Sequence, residues 1–121
     1  MSRFVEVQNN LFAKAGITLR QARMLELLFI EISPMTYWDL AVELETSIQT
    51  VGRLVNTLRK KGLVLRYIDQ GNEEDPIPCQ DWEVEVTEAA YALRDSFAAW
   101  SDWICEQQER KHPPKLQAIQ S

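Results

Sequence analysis

Cysteine and histidine are scarce: the 121 residues hold only Cys79, Cys105 and a single histidine, His112. The start Met1-Ser2-Arg3-Phe4-Val5-Glu6 has no export-type apolar run, so both thiols are expected to be reduced and folding must rest on core packing. A zinc centre wants two or more Cys or His at short spacing, and His112 stands alone beside Pro113, so no metal is expected. Four scattered glycines make no phosphate-cradling loop, and no Ser or Cys sits in a nucleophile-and-base pattern. Neither an enzyme nor a bound cofactor is expected. No apolar run approaches the roughly 20 residues of a membrane span, which points to a cytoplasmic protein without membrane contact.

What is present is an ordinary globular balance, 45% apolar and 26% charged, at the length of one domain. We expect residues 1–112 to form that domain, with 1–16 and 87–112 as flanking helices and 113–121 as a flexible tail. Thirteen Lys and Arg against eighteen Asp and Glu give a net charge of −5, so any attraction to a polyanion must be local.

Apolar spacing divides the chain. Phe4, Val7, Leu11 and Ala15 lie on one helical stripe that Gly16 ends. Thr18 with Gln21, Thr36 with Asp39, and Thr46 with Gln49 each have the spacing of a helix-capping pair, and each precedes an apolar stripe. The first stripe runs through Leu19, Ala22, Leu25, Leu28, Phe29 and Ile32 and stops at Ser33-Pro34. Leu63-Val64-Leu65-Arg66-Tyr67-Ile68 is rich in strand formers, and Trp82-Glu83-Val84-Glu85-Val86 alternates with period two, predicting a hairpin with a long tip. Thr87 then caps a last helix in which Leu93, Phe97, Trp100 and Ile104 recur at helical spacing. The fold class is therefore mainly α with a small β-hairpin.

Two short helices meeting at Glu45-Thr46-Ser47 have the geometry of a helix-turn-helix. With Val51, Leu54, Val55 and Leu58 inward, the second helix turns Ser47, Gln49, Thr50, Arg53, Asn56 and Thr57 outward. Those side chains suit a DNA groove: Arg pairs with guanine, Gln or Asn with adenine, and short hydroxyls admit phosphate. Residues 46–68 carry Arg53, Arg59, Lys60, Lys61 and Arg66 and not one acid. Lys60 and Lys61 also suit the carboxyl end of a helix dipole, an account that fails for the mid-helix Arg53. We expect Gln49, Thr50 and Arg53 at base edges, and Ser47, Asn56, Thr57, Lys60, Lys61 and Arg66 on the DNA backbone. Tyr37 and Trp38 open the preceding helix, where one ring is expected to pack and the other to touch phosphate or ligand, with packing expected of Trp38.

Ile17-Thr18-Leu19-Arg20-Gln21, Leu40-Ala41 with Leu44, the run Ser47 to Val55, the run Leu58 to Arg66, and Val86-Thr87-Glu88-Ala89 resemble, in order and spacing, the MarR-type winged helix-turn-helix regulators. The match covers roughly residues 17–90. The resemblance implies a transcriptional regulator whose helix 47–61 enters the major groove of double-stranded DNA, a wing formed by residues 63–86, and a homodimer made by the helices outside the winged core. Wings that this one resembles carry an arginine near the tip, beside an aspartate. Here residues 69–88 hold eight acids, Asp69, Glu73, Glu74, Asp75, Asp81, Glu83, Glu85 and Glu88, with no Lys or Arg. At a screening length of about 8 Å such a tip is repelled by phosphate. Either the wing folds away from DNA, or it binds a basic protein partner, or the module serves protein contact alone. The acids lack the alternating pattern and turn glycine of a calcium loop. Cys79 among them is read as an incidental thiol and Cys105 as an interior helix residue.

Dimerisation is expected through Phe4, Val7 and Leu11 at the amino end and Leu93, Phe97, Trp100, Trp103 and Ile104 at the carboxyl end, because these stripes exceed what one small core needs. Two-fold pairing sets two reading helices about 34 Å apart, one duplex turn.

Overall fold

The computed structural model describes residues 13–32, 34–68 and 79–113, with Cys79 described in its backbone alone. The amino-terminal stripe Phe4, Val7 and Leu11 and the wing tip, including Asp69, Glu73, Glu74 and Asp75, lie outside these residues, while residues 13–15 are helical. Among the described residues no helix is long and apolar enough to cross a membrane.

Local signals place the first elements. Helix α1 (Leu19–Glu31) begins in a reciprocal capping box: the Thr18 hydroxyl accepts the Gln21 N–H at 3.3 Å, and the Gln21 side-chain oxygen Oε1 accepts the Thr18 N–H at 3.1 Å. Strand β1 (Met35–Thr36) runs directly into α2 (Tyr37–Leu44), whose box is Thr36 with Asp39 at 3.0 and 3.3 Å. Helix α3 (Ile48–Lys60) is capped by Ser47, whose hydroxyl accepts the Thr50 N–H at 3.1 Å. The expected cap, Thr46, is displaced by one residue. Glu45 takes the left-handed conformation (φ 54°), and the Thr46 N–H closes the end of α2 on the Ala41 carbonyl at 2.9 Å. Thr46 thus finishes one helix, and the cap of the next falls to Ser47.

Strand β2 (Val64–Tyr67) pairs antiparallel with β3 (Glu83–Val86) in the register Leu65 opposite Glu85 and Tyr67 opposite Glu83. The hairpin is not isolated. Met35 and Thr36 pair with Val84 and Glu83, giving a three-stranded sheet in the order β1-β3-β2. Thr87 ties the wing base to the end of α3: its N–H reaches the Leu63 carbonyl at 3.1 Å, and its hydroxyl donates to the Gly62 carbonyl at 2.7 Å. Gly62 takes φ +75°, a conformation that favours glycine.

The last helix is two helices, not one. α4 (Glu88–Asp95) stops at Ser96, whose hydroxyl donates to the Leu93 carbonyl at 2.7 Å, and α5 (Ala98–Lys111) starts after Phe97. The break lets α4 pack Ala90 on the sheet while α5 turns Trp100 and Ile104 onto α1, where they are 1% and 0% exposed. These two side chains, expected at a dimer surface, are thus packed in the subunit's own core. Leu93, Phe97 and Trp103 are half-buried against that core.

One core joins all the helices: Leu25 and Phe29 of α1, Tyr37 and Leu40 of α2, Val51, Val55 and Leu58 of α3, Val64 and Val84 of the sheet, and Trp100 of α5. Phe29 meets Trp100 edge-on, with ring centroids 6.0 Å apart, and Tyr91 at 5.3 Å. Leu19 and Ile32, expected on the buried stripe, lie at its ends and are exposed. Cys105, expected inside, is also exposed, because α5 turns Trp100 and Ile104 toward α1 and leaves the next position to solvent.

Candidate nucleic-acid interface

Helix α3 buries one narrow stripe and exposes the rest. Val51, Val55 and Leu58 are fully buried and Leu54 is half-buried. Gln49, Arg53, Asn56, Arg59 and Lys60 are exposed, as are the flanking Ser47 and Lys61, while Thr50 and Thr57 are half-exposed. The first turn holds no acid and the last holds Arg59 and Lys60. Among the described residues, none of Arg53, Arg59, Lys60 and Lys61 enters an ion pair; the pairs present are Arg94 with Asp95 and Lys111 with Glu31. Four cations thus lie on one helix and its cap with their charge uncompensated.

A short hydroxyl relay orders the amino end of this face. The Ser47 hydroxyl donates to the Thr50 hydroxyl at 3.1 Å, and the Arg53 guanidinium donates to that same oxygen at 3.4 Å. Arg53 is thereby drawn along the helix toward its amino terminus, where the backbone dipole favours an anion. Thr57 spends its hydroxyl proton on the Arg53 carbonyl at 3.1 Å, leaving only an acceptor for an outside group. Gln49 and Asn56 make no side-chain hydrogen bond among the described residues. Their amides are free to read donors and acceptors on a base edge.

Lys61 and Arg66 are placed differently from the other candidates. The Lys61 ammonium folds back over Gly16, at 3.3 Å from where a β-carbon on that residue would lie. Gly16 has φ +68°, so both its backbone and this close approach favour glycine. Arg66 shares the inner side of β2 with buried Val64, and its guanidinium stacks 4.9 Å above the Trp82 ring. Its Nε is buried without a hydrogen-bond partner. Arg66, expected on the DNA backbone, is half-buried here and packs at the root of the wing. Trp82 also meets Tyr37 edge-on at 5.8 Å, and its carbonyl accepts the Tyr37 N–H at 3.0 Å.

That stack explains the reversed roles of the two aromatics of α2. Tyr37 is 1% exposed and Trp38 is 56% exposed, because the hydrogen bond and ring contact to Trp82 pull Tyr37 inward and rotate its neighbour out. Sequence reading also left Arg20 and Arg23 unassigned. Both are exposed, and with Glu45 and Thr46 they border a hollow where α1 meets the turn. The signal was their three-residue spacing just after the Thr18 cap.

Away from this face, Glu26 of α1 is buried and its carboxylate accepts the Trp100 indole N–H at 2.7 Å. Burial pushes its pKa up to about 7, against the opposing pull of that hydrogen bond and of Arg23. On the outer face of the sheet the Tyr67 hydroxyl donates to Glu85 at 2.9 Å, which raises the phenol's pKa.

A helix-turn-helix followed by an antiparallel wing, with β1 completing the sheet, defines the winged helix-turn-helix class. Within that class the fold is that of the MarR-type regulators. The chain is similar to the MepR–DNA complex of S. aureus, with TM-score 0.65 and 21% identity over 97% of this chain and 92% of that one. It is also similar to the reduced form of MarR from E. coli (TM-score 0.61, 16% identity, 94% and 79% covered) and to the transcriptional regulator BldR from Sulfolobus solfataricus (0.60, 16%, 95% and 77%). No family model and no curated protein matches the sequence.

Proposed function

We propose that the chain is a transcription regulator that binds duplex DNA, laying α3 in the major groove. Gln49, Thr50 and Arg53 meet base edges; Ser47, Asn56, Thr57, Lys60 and Lys61 meet the sugar–phosphate backbone. The observation that carries this reading is the acid-free outer face of α3, where Arg53, Arg59, Lys60 and Lys61 stand exposed and unpaired on a chain of net charge −5. Such segregation turns one face toward a polyanion while the rest of the molecule is repelled by it. The similar MepR structure is a DNA complex, which supports DNA binding.

The reading includes a homodimer on an inverted-repeat site, since one short helix on an acidic chain makes few phosphate contacts. Its surface combines Phe4, Val7 and Leu11 with the half-exposed edges of Leu93, Phe97 and Trp103. Competition between a labelled upstream genomic duplex and random duplex tests the assignment. Arg53→Ala is expected to erase the preference for one sequence, whereas Lys60→Ala weakens binding to all sequences alike. Equal competition by random duplex with the native chain contradicts sequence-specific reading.

A further inference from the structure

The outer face of α2 is apolar where a solvated helix is usually polar. Trp38 and Val42, one turn apart, are 56% and 55% exposed, and with Pro34 and Met35 they floor a shallow groove. Glu31, Asp39 and Glu43 form its rim, and no Lys or Arg lines it among the described residues. The rim already draws in one of the chain's own cations. The Lys111 ammonium, at the end of α5, pairs with Glu31, and the charge of Glu43 adds to the attraction.

An exposed tryptophan ringed by carboxylates excludes nucleic acid, whose phosphates meet like charge there. The same combination suits a peptide that pairs an apolar anchor with cations, since a desolvated Trp contributes most at an interface centre and complementary charge sets partner choice at the rim. We infer that the groove around Trp38 on α2 is the docking site for a basic, apolar segment of a partner protein. No residue of α3 lines this surface, so a partner seated there leaves the cationic face of α3 open.

The test is a titration of the isotopically labelled full chain with a short lysine–leucine peptide, using its glutamate–leucine counterpart as the charge control. The Trp38 indole resonance is assigned by its loss in Trp38→Phe. The cationic peptide is expected to shift that resonance ahead of those of Trp82, Trp100 and Trp103, and the acidic peptide to leave it unmoved. Trp38→Ala is expected to weaken binding about tenfold, and Glu43→Gln about threefold, the size of an exposed charge pair. Val42→Lys keeps the indole but repels the peptide, and it must weaken binding as well. Undiminished binding to Trp38→Ala overturns the inference, because the attraction is then general to an anionic chain. A Trp38 resonance that moves with protein concentration alone, without peptide, assigns the groove to a second copy and overturns it too.

Discussion

In the proposed reading, Arg53 is the residue on which base recognition turns. It is exposed at mid-helix, steadied by the Thr50 hydroxyl at 3.4 Å, and far enough from the end of α3 that the helix dipole gives no reason for a cation there. If it pairs with a guanine, Arg53→Ala costs about 1–3 kcal/mol of binding free energy and relaxes preference at one base position; affinities for a set of single-base operator variants measure both. Glu26 governs a different property. Its folded pKa of about 7 lies above its ordinary value of 4.5 because burial disfavours the carboxylate, so the native state holds this proton more tightly than the unfolded chain. The contribution of Glu26 to stability is therefore fully present below about pH 4.5 and is lost as pH rises toward 7. Denaturant midpoints between pH 5 and 8 are expected to fall less steeply in Glu26→Gln than in the native chain. Equal slopes contradict the assignment.

Individual elements show how much of the fold could be read from spacing alone. The Thr18–Gln21 and Thr36–Asp39 boxes form as their spacing predicts, and α3 buries Val51, Val55 and Leu58 as its stripe requires. What spacing does not carry is the phase imposed by a distant partner. Tyr37 is inward because Trp82, brought back by the wing, holds its N–H and its ring. Arg66 is drawn in for the same reason, stacking on Trp82 instead of facing solvent. The two-residue strand β1 has no periodicity to detect, and the break at Ser96 depends on a side-chain bond to the Leu93 carbonyl. Most of the α3 face was legible because amphipathic spacing fixes which side is outward; the wing root was not, because it is set by contacts between residues far apart in the chain. At this scale Ser47 carries a clear consequence. Its hydroxyl caps α3 and relays to Thr50, so Ser47→Ala is expected to destabilise the fold by about 1 kcal/mol, a typical loss for a missing cap. Thermal unfolding reads that loss, and Ser47→Asp, which keeps a capping oxygen, restores the stability while placing an acid on the face toward DNA.

For the whole molecule, burial of Trp100 and Ile104 narrows the surface available for pairing two copies. In the proposed two-fold reading, the half-exposed Leu93, Phe97 and Trp103 and the amino-terminal stripe carry the pairing. Sedimentation is expected to give a dimeric mass for the native chain, and Phe97→Lys, at the break between α4 and α5, to shift it toward monomer. A native monomer at every concentration contradicts the two-fold arrangement. Charge is the other property of this scale: in the proposed reading, a chain of −5 approaches DNA in the orientation that leads with α3. Replacing Lys60 is then expected to remove one phosphate contact per copy and to reduce the salt slope by about one for each.

The most direct measurement is the affinity for duplex DNA as a function of salt concentration, for the native chain beside Lys60→Ala. A cationic α3 face predicts log-linear loss of affinity with rising salt, and a shallower slope in the variant, as fewer counterions are released. No binding at low salt, or identical slopes for the two chains, contradicts the account.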